Sequence, residues 1–458
     1  MKITILSLCV LHVLTHGVKA KAGFISLPVT RQTSSQALAR RQADLIWNDY
    51  RGHGYMVDVD VGTPKQRVQL ALGIESYGTT VVGKCASSRL PENAIECKKT
   101  GAYNASLSTS SLYVAEDGFD EIYEDDENAL ENLSYMRYQY YADDLTVEGQ
   151  DTMKNVTFMV SKLSEAYIYG FLGLGFSIND SVTHDHESGI LDDLTAQGII
   201  GARAFGITLG GDYESSSLVL GGVDTKKFSG SLSKVPLVDP PQGLSDSAQD
   251  YHWLNVERAV LNSGNGTNTT VNGFKAATSS SLAYSDLPDD IVITVGEALG
   301  VTNWTDPFWR EVPCTRGDAV NGSLELEFSG FTASIPYRDL LHPSDHPEAK
   351  EGGCYITVQP SWDLAGPPEY RLGSTFLRAM YAVFDQDSKA VWLAKYEDCG
   401  SEEVAFSKGE DVRGQCGGEL STSSGEGGSP NNNSGNGGSF IGVNGALMLG
   451  TVLVALFS

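Results

Sequence analysis

The sequence predicts an all-β protein of two lobes with a few short helices, and three observations carry that prediction. Only 20% of the residues are charged, while 50 glycines punctuate a chain rich in Ser, Thr and β-branched residues. That balance favours strands and turns over helices. Short alternating segments bounded by Gly or Asx turns recur along the whole length, and convincing helical periodicity is rare. The 458 residues also exceed what a single hydrophobic core organises, so two lobes are expected, over 42–240 and 241–399.

The first strands are the clearest. Tyr55–Val61 alternates, Gly62-Thr63-Pro64 makes a turn, and residues 67–72 alternate again with Val68, Leu70 and Leu72 on one face, which predicts a hairpin. Helices are expected over 189–200, which runs from Gly189 to the Gly198-Ile199-Ile200 segment, over 289–299, and over 376–381.

The ends predict a compartment. Lys2 precedes an apolar run over 3–14, and small residues follow at Val18, Ala20 and Ala22, the pattern of a secretory signal peptide over 1–20. The run is too short to span a bilayer, and the competing reading is a buried N-terminal helix. The pair Arg40-Arg41 closes an expected pro-segment over 21–41. At the other end, 440–458 is apolar to its last residue and follows a Gly/Ser/Asn-rich stalk over 400–439. Small residues, polar spacer and apolar tail together predict attachment of a GPI anchor, with the attachment residue within 424–435 and the tail removed. Gly442, Asn444 and Gly445, with no charged residues after them, weigh against the alternative of a transmembrane anchor.

The expected product is therefore a cell-surface protein, and its other features fit. Thirty-two basic residues against 58 acidic ones give a net charge of −26, which argues against nucleic acid as a partner. Cys9 falls in the signal segment, leaving Cys85, Cys97, Cys314, Cys354, Cys399 and Cys416. An even number in a secreted chain implies disulfides. Of 15 possible connectivities, the three pairs close in sequence, 85–97, 314–354 and 399–416, are the expected ones. Glycosylation is expected at the sequons of Asn104, Asn132, Asn155, Asn179, Asn265, Asn268, Asn303, Asn321 and Asn432. Cofactors are expected to be none, and so is a metal: His184-Asp185-His186-Glu187 lacks further ligand spacing, and the acidic run 124–127 lacks the alternation and glycine of a calcium loop.

Several segments, taken in order, resemble the pepsin-like aspartic proteases, especially the fungal cell-surface members. They are Tyr55–Val61 with Gly62-Thr63-Pro64-Lys65-Gln66, Phe171-Leu172-Gly173-Leu174-Gly175, Leu218-Val219-Leu220-Gly221-Gly222-Val223-Asp224, and Leu372-Gly373-Ser374-Thr375-Phe376-Leu377 with Tyr381-Ala382-Val383-Phe384-Asp385. The resemblance runs from about Tyr55 to Tyr396 and implies a bilobal β fold with a cleft between the lobes. It also implies two Asp-Thr/Ser-Gly loops, one per lobe, whose carboxylates share a proton and hold the attacking water.

Both loops are locatable here, and neither carries the acid. The ungapped stretch from Gln66 to Leu72 puts Gly73 at the first aspartate position, with Ser76 nearby and Glu75 where the resemblance implies glycine. At the second, Leu282 and Tyr284 put Ala277 at the aspartate position, with Ser285 and Asp286 treated as an insertion. A slip of one or two residues gives Thr278 or Ser279, which is no more acidic. A flap tyrosine is expected at Tyr123, with Tyr138, Tyr140 and Tyr141 as competitors.

The resulting expectation is a monomeric, strongly impaired or inactive relative that binds an extracellular peptide, protein or glycan between the lobes, or acts as a decoy or inhibitor. The alternative is a surface endopeptidase that uses Glu75 or Asp286 as non-standard acids. A serine nucleophile in the run 279–281 is disfavoured because no partner histidine is evident.

Overall fold

The computed structural model describes residues 23–31, 55–83, 85, 97–123, 134–147, 152–161, 169–176, 189–210, 216–244, 251–264, 266–301, 311–343, 352–361, 367–407 and 412–417. All of them belong to one compact unit, 1–418. The expected signal segment, the GPI tail, the runs 124–127 and 184–187 and the sequons at Asn132, Asn179, Asn265, Asn303 and Asn432 lie outside the described residues.

The described chain is mostly strand, arranged as two large sheets, a six-stranded sheet shared between the halves, and two small sheets of three and two strands. The eight-stranded sheet is built from the first half. Tyr55–Val61 and Gln66–Gly73 form its hairpin, with Val59 opposite Val68 and Val57 opposite Leu70. Val57, Val59, Val61, Val68, Leu70 and Leu72 are all buried, so the alternation legible in the sequence is the alternation of core and surface faces. The seven-stranded sheet is built from the second half around Trp253–Asn262 and Asn268–Thr278, a long antiparallel pair.

The third sheet ties the halves together. Ala204–Thr208 pairs antiparallel with Met380–Asp385, which pairs with Ala390–Tyr396, and that strand pairs in turn with Phe228–Pro236. Phe205 stacks on Phe384 across the seam with ring centroids 4.8 Å apart. The Gln386 side-chain amide extends the junction, donating to the carbonyls of Gly175 at 2.8 Å and Leu174 at 3.2 Å.

The three expected helices are present, one with the expected ends and two with adjusted ends. Asp289–Leu299 is closed by Gly300 in the left-handed conformation that glycine adopts without strain. Ile190–Ala196 begins at Gly189 and is shorter than the sequence suggests, the chain turning at Gly198. The third is Ser374–Ala379, two residues earlier than expected, because Met380 and Tyr381 are drawn into strand pairing with Lys395 and Ala394.

Three disulfides join Cys85 to Cys97, Cys314 to Cys354 and Cys399 to Cys416, the three pairs close in sequence. The last one holds the exit segment: Ser229 bridges Cys416, and Ser231 bridges Arg413. Four sequon asparagines are described, Asn104, Asn155, Asn268 and Asn321, and each is exposed.

Two Leu-Gly pairs place the loops where the lobes meet. Leu172 and Gly173 lie parallel to Leu72 and Gly73, and Leu372 lies parallel to Thr278 with Gly373 following. A Cβ on Gly373 would sit 1.9 Å from the Tyr284 carbonyl oxygen, a backbone contact that no rotamer relieves. Gly373→Ala is therefore expected to lower the unfolding free energy by roughly 3 kcal/mol in a denaturant titration. Gly201→Ala, where nothing lies within 4 Å of the added carbon, is expected to change it by less than about 0.5 kcal/mol.

Candidate functional site at the lobe junction

The parallel pairings assign equivalent positions in the two loops. Gly73 follows Leu72 beside the Leu172-Gly173 pair, and Ser279 follows Thr278 beside the Leu372-Gly373 pair. Ser279 is thus the counterpart of Gly73. This corrects the sequence-based register, which put Ala277 there. Ala277 is a fully buried strand residue opposite Trp253 and Arg371, packed with Leu244 and Trp253. The register was misjudged because Ser285 and Asp286 were treated as inserted. They belong to the strand Ser285–Leu287, which pairs with Val358–Pro360 and leaves the loop shorter than assumed.

The loops touch. The Ser280 hydroxyl donates to the Leu72 carbonyl at 2.6 Å and accepts from the Ile74 amide at 3.1 Å. One side chain of the second lobe thus grips the backbone on both sides of Gly73. The turn at Gly73 closes on itself through Ser76 N–H to Gly73 O at 3.1 Å. Leu174 N–H reaches the same carbonyl at 2.9 Å.

Glu75 makes the second crossing. One carboxylate oxygen accepts from the Ser279 hydroxyl at 2.8 Å, from the Ser281 amide at 3.2 Å and from the Ser281 hydroxyl. The other accepts from the Ser280 amide at 3.1 Å, with the Ser280 hydroxyl oxygen, whose proton goes to Leu72, 3.4 Å away. The sequence places Glu75 where the resemblance implies glycine, two residues beyond Gly73. The longer side chain reaches across the junction from there. The junction is therefore polar and carries a carboxylate.

The other predicted residues are placed as follows. Asp286 is buried, accepts from the Gln359 side-chain amide at 2.9 Å and lies 3.7 Å from Arg371, so it is committed to its own sheet. Arg371 also reaches Glu369 at 2.9 Å. Thr278 is fully buried, and its hydroxyl finds no partner among the described residues. A Cβ on Gly73 would lie 3.0 Å from the Ser76 side chain and 3.4 Å from the Leu172 carbonyl oxygen, tight but not blocked. Tyr123 closes the strand Leu112–Tyr123 opposite Ser134, and its side chain lies outside the described residues, as does that of Tyr138. Tyr141 packs edge-on against Tyr103 and Tyr113, and Tyr140 is buried.

Two titratable groups were missed. His252 is buried between Phe176 and Phe384, with ring centroids 4.6 and 4.8 Å away. Its backbone carbonyl accepts from Thr278 N–H at 3.2 Å, just behind the second loop. Burial pushes its pKa down to about 3, and the neighbouring Ile74 backbone offsets only part of that. Tyr251 beside it is pushed up to about 12, first by burial and then by the Glu369 charge, with Glu75 adding a smaller contribution. No sequence pattern marks either, because both are set by residues distant along the chain.

With the geometry in place, the comparisons give the class. Residues 54–396 match the eukaryotic aspartyl protease family model, and the chain belongs to that family. An acid protease of Saccharomycopsis fibuligera is 26% identical over 347 residues, covering 74% of this chain and 80% of the relative. The aspartic proteinase yapsin-3 of Saccharomyces cerevisiae is 26% identical over 368 residues, covering 74% and 66%. Secreted aspartic protease 8 of Candida albicans is 25% identical over 362 residues, covering 77% and 78%.

The buried imidazole has a consequence in acid. Its folded pKa of about 3 lies below the ordinary value of 6.5, so between those pH values the unfolded chain takes up a proton that the folded chain refuses. Stability therefore falls as pH drops from 6.5 towards 3. His252→Phe is expected to flatten the decline across that window by several kcal/mol, read as urea midpoints at successive pH values.

Proposed function

We propose that this protein is a cell-surface, aspartic-protease-like glycoprotein that binds an extracellular peptide, protein or glycan between its lobes without an efficient means of cutting it. One observation carries the reading: the equivalent positions of the two loops, Gly73 and Ser279, hold no carboxyl group. Peptide hydrolysis by the family's route needs one carboxylate to draw a proton from water while a second donates to the carbonyl oxygen. Among the described residues, the carboxylate hydrogen-bonded across the junction is that of Glu75, and its oxygens are occupied by serine hydroxyls and amides. General acid–base catalysis is worth about a hundred- to ten-thousand-fold, and the loss of paired acids removes both halves of it.

A polar bilobal surface can retain affinity after losing chemistry, because binding and proton transfer depend on different groups. The reading includes secretion, glycosylation at the exposed sequons Asn104, Asn155, Asn268 and Asn321, and a GPI anchor, supported by the sequence at the two ends. A decoy or inhibitor role towards a secreted hydrolase is the same site with a protein ligand.

The second reading is an endopeptidase that runs on Glu75. It is favoured by the 2.8 Å hydrogen bond from Ser279 to that carboxylate, which brings the acid to the place where the second loop's own acid would stand. Asp286 supplies no partner for it, being held by Gln359 and Arg371.

The discriminating experiment is an incubation of the purified protein with a denatured protein substrate between pH 3 and 6, followed by mass spectrometry of the products. The expected result is no cleavage above that of the Glu75→Gln variant. Cleavage that Glu75→Gln abolishes would establish the second reading and overturn the first.

A further inference from the structure

We propose that the Ser279–Ser281 turn is a carboxylate-binding site, that its resident ligand is the Glu75 side chain of the opposite lobe, and that this contact holds the two lobes in register where they meet. It rests on the assignment of the lobe junction as the binding site, but not on whether the protein cuts peptides.

Two hydroxyls and two backbone amides donate to one carboxylate, across a sequence separation of 204 to 206 residues. That donor set is what a planar carboxylate takes, since its two oxygens offer about four lone-pair directions. The site is built rather than incidental, because Ser279 and Ser280 are buried and so have no solvent alternative. Ser281 and Glu75 are only partly covered, which leaves the pocket reachable by a small solute.

The near-twofold relation between the loops explains why a carboxylate is needed. The Ser280 hydroxyl bridges Leu72 O and Ile74 N, and the matching hydroxyl would stand at position 74 and serve Thr278 O and Ser280 N. Position 74 is isoleucine, fully buried, with nothing to donate or accept. The Ser280 amide would be left without its partner, and a buried unpaired amide is costly. Glu75, one residue further on, supplies the acceptor at 3.1 Å. The family's small residue at that position, implied by the resemblance, could not.

The test is chemical rescue of Glu75→Ala in the otherwise intact protein, with sodium formate as the carboxylate probe and sodium chloride at equal ionic strength as the control. Hydrogen exchange is followed by mass spectrometry with residue-level fragmentation at Ser280 and Ser281. Loss of the carboxylate is expected to speed exchange of both amides by about tenfold or more and to lower the melting temperature by roughly 3–8 °C. Formate is expected to restore much of both losses, and chloride neither. Unchanged exchange at Ser280 and Ser281 in the variant, or formate acting no better than chloride, overturns the site.

Should the alanine variant fail to fold, Glu75→Gln carries the test. The glutamine keeps one acceptor oxygen and turns an NH2 donor towards the other pair of serine donors, so faster exchange at Ser280 or Ser281 is expected, equal exchange at both overturning the proposal. None of these readouts involves a substrate, so discovery of peptidase activity would sink the functional reading and leave this one standing.

Discussion

The structure turns on the Ser280 hydroxyl, which is held between the carbonyl before Gly73 and the amide after it. This contact ties the two halves of the chain together at the loops. It forces the loops into a definite register, and the register decides which residues occupy equivalent places. The shared six-stranded sheet, with Phe205 on Phe384 behind it, makes the contact possible by bringing the halves together over a broad seam. Glycines at Gly173 and Gly373 then let backbone pack against backbone beneath each loop.

Within that frame the substitutions read as a set. Gly73 and Ser279 place no acid at the equivalent positions, Ile74 removes a hydroxyl, and Glu75 adds a carboxylate that repairs the hydrogen bonding from one residue along. A carboxylate used this way is a ligand of the protein itself. The surroundings are tuned in the same direction: a neutral histidine is walled in behind the second loop, and proton uptake there works against the folded state in acid. Asp143 adds to this, its pKa held below the ordinary range by the hydroxyls of Ser108, Ser110 and Tyr103 and the Asp144 amide, which outweigh the opposing effect of burial, so its contribution is lost as pH falls through that lowered value.

Much of the fold was legible because it follows from periodicity. The alternation from Tyr55 to Leu72 is the hairpin, and the helix expected over 289–299 is Asp289–Leu299. The first loop is read without a gap from that hairpin, and Gly73 pairs with Gly173. The second was misplaced by two residues because a run of small residues, Ala276 to Ser281, carries no internal landmark. The usable landmark was distant: the Leu372-Gly373 pair, read as the counterpart of Leu172-Gly173, would have set Ser279 opposite Gly73. The role of Glu75 was invisible for a related reason. Its partners lie some two hundred residues away, and no local pattern encodes a contact between lobes.

The most direct measurement is a crystal structure of the protein at mildly acidic pH with a peptide soaked into the junction. The account predicts the Glu75 carboxylate seated on Ser279, Ser280 and Ser281, with the peptide lying uncut above Gly73. A Glu75 side chain turned away from the serines, sharing a water with a second carboxyl group over a cleaved peptide, would contradict it.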